Sequence, residues 1–209
     1  MNTNQLSMSR CVSAIFACCL VAVLYSPLRA DDKPAETVKT VEVKIEKKDV
    51  AHITLSIPET WEQQKPSGGL RLAQFGIPAA KGEENPAVLA VFFFRGSSIQ
   101  ANVDRWISQF DSKGRQSKVT QGQSPAGKYV FVDITGSFNQ LVGPPRLRKT
   151  RKISDGRMLA VILIAKSKGL FFLKMSGDNK TVSSAAVAFR NSFGAKADKE
   201  KPLEGESKK

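Results

Sequence analysis

Residues 87–94 read Ala87-Val-Leu-Ala-Val-Phe-Phe-Phe94, eight apolar positions in a row. Valine and phenylalanine favour extended chain, and a strand that is apolar on both sides must be covered on both faces. The segment therefore belongs inside a sheet. Directly after it the period changes. Ile99, Val103, Trp106, Ile107 and Phe110 fall at i, i+4, i+7, i+8 and i+11, one side of a helix over 98–110. Ser97 or Ser98 can cap its start, and Gly114 closes the turn behind it.

On the N-terminal side, His52-Ile-Thr-Leu-Ser-Ile57 alternates with period two and stops at Pro58, with Trp61 beyond. Leu70-Arg-Leu-Ala-Gln-Phe75 alternates likewise before Gly76 and Pro78. On the C-terminal side a strand is expected over 128–135, ending at Gly136. Residues 157–165 (RMLAVILIA) and 169–175 (GLFFLKM) form a hairpin across Lys166-Ser-Lys168. Val182, Ala186, Phe189 and Phe193 mark a final helix with Asp178 at its N-cap. Strands, helix, strands, helix is the order of an α+β domain. We expect a largely antiparallel sheet of about six strands with helices packed on both faces, spanning 51–194.

The flanks are polar. Residues 31–50 hold Val41, Val43 and Ile45 in alternation, open to reading as an edge strand or as a linker. Residues 195–209 (AKADKEKPLEGESKK) carry charge and little to bury, and are expected to be disordered.

Residues 1–30 have the parts of a secretory signal: an acid-free start with Arg10, an apolar run from Cys11 to Leu28, and Ala30 before Asp31-Asp32. Cleavage is expected after Ala30, from a start at Met1 or Met8, which places the domain in the periplasm or outside the cell. Two other readings stay open: an uncleaved anchor, since about 18 apolar residues approach a membrane span, and lipidation at Cys18. Pro27 argues against the first and bulky Phe16 against the second. All three cysteines, Cys11, Cys18 and Cys19, lie in this segment. A mature chain has no thiol chemistry and no disulfide, so an apolar core must hold it.

The chain of 209 residues has a net charge of +13; one beginning at Asp31 keeps 30 of the 32 lysines and arginines and all 19 acids, near +11. Such a charge favours anionic partners, an anionic envelope component or an acidic protein. Export makes nucleic acid a poor candidate, and no cofactor motif is present.

The sequence resembles an uncharacterised family of exported bacterial proteins through Ser98-Ile-Gln-Ala-Asn-Val-Asp-Arg-Trp-Ile-Ser-Gln-Phe110, Asp133-Ile-Thr-Gly136, Arg157-Met-Leu-Ala160 and Phe172-Leu-Lys-Met-Ser-Gly177. By element order it is similar to the Mog1/PsbP-type fold, an antiparallel sheet sandwiched by helices. These resemblances imply a binding or assembly factor, and they bring no known active site.

Few residues stand out as a site. Arg146, Arg148, Lys149, Arg151 and Lys152 put five cations into seven positions, within a loop expected over 137–155. A loop of that length invites a contact role, and the alternative is a solvated connection. Asn102 and Arg105, three apart on the helix, and Asp133, on the strand face of Tyr129 and Phe131, form a candidate polar patch. Its simpler reading pairs Arg105 with a carboxylate such as Asp133 and leaves Asn102 to loop backbone. His52, the sole histidine, has no nucleophile motif beside it, and no metal-ligating cluster is visible. Trp106 reads as core; Trp61 is open. The reading that follows is a non-catalytic binding or assembly module using the basic loop. Its rival is a hydrolase or lyase built on carboxylates such as Asp133 or Asp104.

Overall fold

Alternation along the strands divides the apolar residues into two cores, one on each face of a single large sheet. In the computed structural model, which describes residues 36–44, 52–141, 147, 149–165 and 169–203, the elements run β1 (Val38–Lys44), β2 (His52–Pro58), β3 (Glu62–Gln64), β4 (Arg71–Ile77), β5 (Ala87–Phe94), α1 (Ile99–Ile107), β6 (Gln116–Ser124), β7 (Gly127–Leu141), β8 (Thr150–Ala165), β9 (Gly169–Asp178), α2 (Asn179–Ser184), α3 (Ala186–Ser192) and β10 (Lys201–Pro202). Eight strands form one antiparallel sheet in the order β10-β6-β7-β8-β9-β5-β4-β3, and β1 pairs with β2 apart from it. The expected export signal lies outside the described residues.

On the first face Tyr129, Phe131, Leu159, Val161, Leu89 and Val91 pack under Val182, Phe189 and Phe193, with Leu55 and Ile57 of β2 closing the layer. On the second face Val130, Val132, Ile134, Ala160 and Ile162 pack under Val103, Trp106 and Phe110. The α+β class and the helices on both faces are as expected. Residues 87–94, with β9 on one side and β4 on the other, are interior to the sheet as their composition requires.

The sheet has eight strands, against about six expected: the strand at 52–58 pairs with β1 outside it, and β3, β6 and β10 join it. The signal missed β6, whose sequence QSKVTQGQS has one apolar residue. Backbone pairing with β7 along its whole length, from Gln116↔Thr135 to Ser124↔Gly127, holds it instead. Gly136 does not end β7. The register shifts between Gly136 and Phe138, a bulge that Gly136 accommodates at φ 141. The strand then continues, and the Phe138 ring packs at a tilt against Phe110, with centroids 4.6 Å apart. The loop expected over 137–155 is accordingly much shorter, and Arg151 and Lys152 stand on β8. The final helix is two short ones broken at Ala185. Asp178 occupies the N-cap position of α2 without a side-chain cap bond, and Glu83 accepts the backbone N–H of Lys180 (3.0 Å) and Thr181 (2.7 Å) in its place.

Of the two readings of 31–50, the strand holds for Val38–Lys44, which pairs with β2 throughout. Residues 195–203 correct the expectation of a disordered tail. Lys201 and Pro202 pair with Gln121 and Thr120. Glu200 accepts hydrogen bonds from Arg190 Nε (2.8 Å) and Thr120 Oγ1 (2.9 Å). Arg190 in turn lies over the Phe131 ring at 3.9 Å. One carboxylate orders the segment, because without it the Arg190 guanidinium would be desolvated against the core unpaired. Glu200→Ala should lower stability by about 2 kcal/mol, the usual worth of a hydrogen bond to a charged group. It should also open 196–203 to limited proteolysis. An unchanged urea midpoint and unchanged cleavage would refute that role.

Candidate functional site: a cationic cleft

Helix α1 covers only part of the second face, leaving a cleft of about 870 Å³ over β4, β5 and β9. Its floor follows from strand alternation: Val88, Ala90 and Phe92 of β5 point opposite to the core residues Leu89 and Val91. Across the sheet, Gln74 and Lys174 flank Ala90, and Ala160 lies on the far side of Lys174. Two alanines beside a lysine leave it room. Phe138, Gln140 and Arg151 of the β7–β8 extension form one wall, and residues 65–68 another.

Two cations without a counter-charge line the cleft, and a third stands beside it. Half-buried Lys174 donates to Gln109 Oε1 at 2.7 Å. Half-buried Arg71 donates to Ser67 Oγ at 2.6 Å and to Gln74 Oε1, with its guanidinium 5.9 Å from the Phe92 ring centre. Arg105, exposed at the rim, donates to Asn102 Oδ1. Every one of these acceptors is neutral. Among the described residues none of the three cations has an ion-pair partner, while Arg151, Lys152, Arg157 and Arg190 each do. Burial, then the charges of Arg71 and Arg105, pull the Lys174 amine down to about 8. Burial also lowers Arg71. Desolvated like charges without counter-ions are unfavourable in themselves, and such perturbed groups concentrate at functional sites.

A smaller hollow of about 250 Å³ opens off the cleft, lined by Phe94, Arg105, Trp106 and Phe172 and sharing Phe92, Gln109 and Lys174 with it.

The residues singled out from sequence are dispersed. Arg146 and Arg148 lie outside the described residues. Lys149 is exposed. Arg151 lines the cleft, donating to Gln140 at 3.1 Å and pairing with Asp178 at 3.9 Å. Lys152 pairs with Asp111 at 3.6 Å. Asn102 and Arg105 are together, with Asn102 Nδ2 donating to Ser98 O at 2.7 Å. Asp133 is not with them. Alternation puts it on the first face, where Arg157 binds it through Nε (2.9 Å) and a terminal nitrogen (2.6 Å). The expected Arg105–Asp133 pairing is therefore corrected: the sheet separates the two. Asp104 accepts from Gln100 on the exposed side of α1, so the carboxylates of the rival reading are not gathered. Among the described residues no group of three or more His, Cys, Asp or Glu could hold a metal ion. Trp61 is buried in the first-face core. His52 is exposed beside a separate depression with Pro125 and Asn191.

Arg71 and Lys174 were missed. The available signal was a single cation inside an apolar run, Lys174 within GLFFLKM and Arg71 within LRLAQF.

Sheet and cleft together define an α+β sandwich with a ligand-sized cationic hollow on one face. No protein-family model matches the chain, and neither does any curated protein. Among solved structures it is similar to the solution structure of cyanobacterial PsbP (CyanoP) from Synechocystis sp. PCC 6803, with 13% identity and a TM-score of 0.42, covering 85% of this chain and 100% of that one.

Proposed function

We propose that this is an exported, non-catalytic binding module whose ligand carries a compact anionic group held by Lys174, Arg71 and Arg105. One observation carries the reading: Arg71 and Lys174 line the cleft, Arg105 lines the hollow that shares Lys174 with it, and all three contact neutral acceptors only. An anion placed there would supply the missing counter-charge through charge-assisted hydrogen bonds. The cleft volume lies in the range of small-molecule sites, roughly 300–1,000 Å³. Of the basic run, Arg151 stands on the cleft wall itself. The signal-like pattern over 1–30 supports a location in the periplasm or outside the cell.

Inorganic phosphate titrated into the domain at low salt tests this. Replacing both Arg71 and Arg105 by glutamine should weaken phosphate binding at least about tenfold, or 1.4 kcal/mol, with the thermal melt as a folding control. Glutamine at Arg148, Lys149, Arg151 and Lys152 should weaken it less, and mainly at low ionic strength. Equal phosphate binding by the wild type and the Arg71/Arg105 variant would overturn the assignment.

A further inference from the structure

We infer that the ligand is an amphiphilic anion, a small molecule with an acidic head at Lys174 and an alkyl or aromatic portion in the adjoining aromatic hollow. This rests on the binding reading above and adds the chemical class. Four rings build the hollow: Phe92 stacks with Phe94 at 6.3 Å, Phe94 meets Phe172 edge-on at 5.3 Å, and Trp106 meets Phe172 edge-on at 6.0 Å. Phe92 and Phe94 are only partly buried, although the strand that carries them is interior to the sheet. Helix α1 stops short of covering them, so apolar ring surface stays open to water beside the cations.

Among the described residues the hollow's non-aromatic lining is Arg105, Gln109 and Lys174, and Gln109 and Lys174 also line the cleft. A ligand that merely neutralised the cations would leave the rings wet. A purely apolar ligand would desolvate Lys174 further without giving it a counter-charge. A head-and-chain molecule satisfies both, with the head accepting from Lys174 and Arg105 and the chain lying over Phe92, Phe94 and Phe172. At about 250 Å³ the hollow suits a short chain or a single ring.

The test is a matrix of monomeric probes against the intact domain: acetate, butanoate and octanoate; octyl phosphate and inorganic phosphate; octanol; and anionic phospholipid vesicles. Trp106 fluorescence and calorimetry are the readouts, since Trp61 lies in the opposite core. Affinity should rise by about three- to fourfold for each methylene buried until the hollow is full. Octanoate and octyl phosphate should both bind, and octanol at least tenfold more weakly. Phe94→Gln, at the C-terminal end of β5, should flatten the chain-length dependence by far more than it alters phosphate affinity.

If phosphate and acetate bind through Arg71 and Arg105 but octanoate binds no tighter, the amphiphile class is overturned and the anion site stands. If no anion binds, both fall. Tight octanol binding, a chain-length series unaffected by Phe94→Gln, or capture of vesicles without uptake of octanoate would each overturn the inference.

Discussion

Trp106→Ala is expected to destabilise the domain by about 3–5 kcal/mol, the usual cost of truncating a buried aromatic. Trp106 is 4% exposed, lies edge-on to Phe172 and shares the second-face core with Val103, Met158, Ala160 and Ile162. Helix α1 has nine residues, too few to be stable alone, so packing against the sheet is what keeps it helical. Losing the indole removes the centre of that contact. A loss of this size is a large part of a typical total of roughly 5–15 kcal/mol, and should lower the melting temperature by about 10 °C. A melt within 2 °C of wild type would show that this helix face is not core.

Lys174→Met should do the reverse to stability while abolishing anion binding. The folded amine titrates at about 8, below its ordinary 10.5. Below pH 8 the group is charged in both folded and unfolded chains, and the folded state bears the full penalty of a desolvated cation. Between 8 and 10.5 the unfolded chain binds the proton that the folded chain has released, so folding stability rises with pH. Above 10.5 the penalty is gone. Methionine, similar in length and neutral, should therefore stabilise the domain at pH 7 by on the order of 2 kcal/mol, discounted because the amine still reaches solvent. The gain should disappear above pH 10.5. In the wild type, anion affinity should fall as pH rises through 8. A variant less stable than wild type at pH 7 would mean that Lys174 is already well paired. A stabilised variant that still binds phosphate would remove the amine from the site.

A residue that destabilises its own fold and faces a cleft is a common mark of a binding site. Arg157 makes the contrast: it is half-buried too, but Asp133 holds it with two hydrogen bonds and raises its pKa. The first face thus pairs Arg157 and Arg190 internally, whereas Lys174, Arg71 and Arg105 have only neutral acceptors among the described residues.

The sequence by itself determined the class of the fold. Eight uninterrupted apolar positions at 87–94, the change of period at 99–110 and the apolar runs at 157–165 and 169–175 are statements about which side chains must leave water, and burial obeys them wherever the strands come to lie. Local pattern also placed Trp106 in the core and set Asp133 on the face of Tyr129 and Phe131. It failed where the backbone or a distant partner does the holding. Strand β6 is fixed by pairing with β7, which needs no apolar alternation, and 195–203 by one carboxylate reaching Arg190 and Thr120. Gly136 has the sequence of a stop and the geometry of a bulge, because only the register across β7 and β8 decides between them. The cleft was decided by tertiary structure alone. Arg71, Arg105 and Lys174 stand 34 and 69 residues apart along the chain, and nothing local states that a nine-residue helix will cover only part of a sheet face and bring its own Arg105 beside Lys174 and Arg71 of the strands.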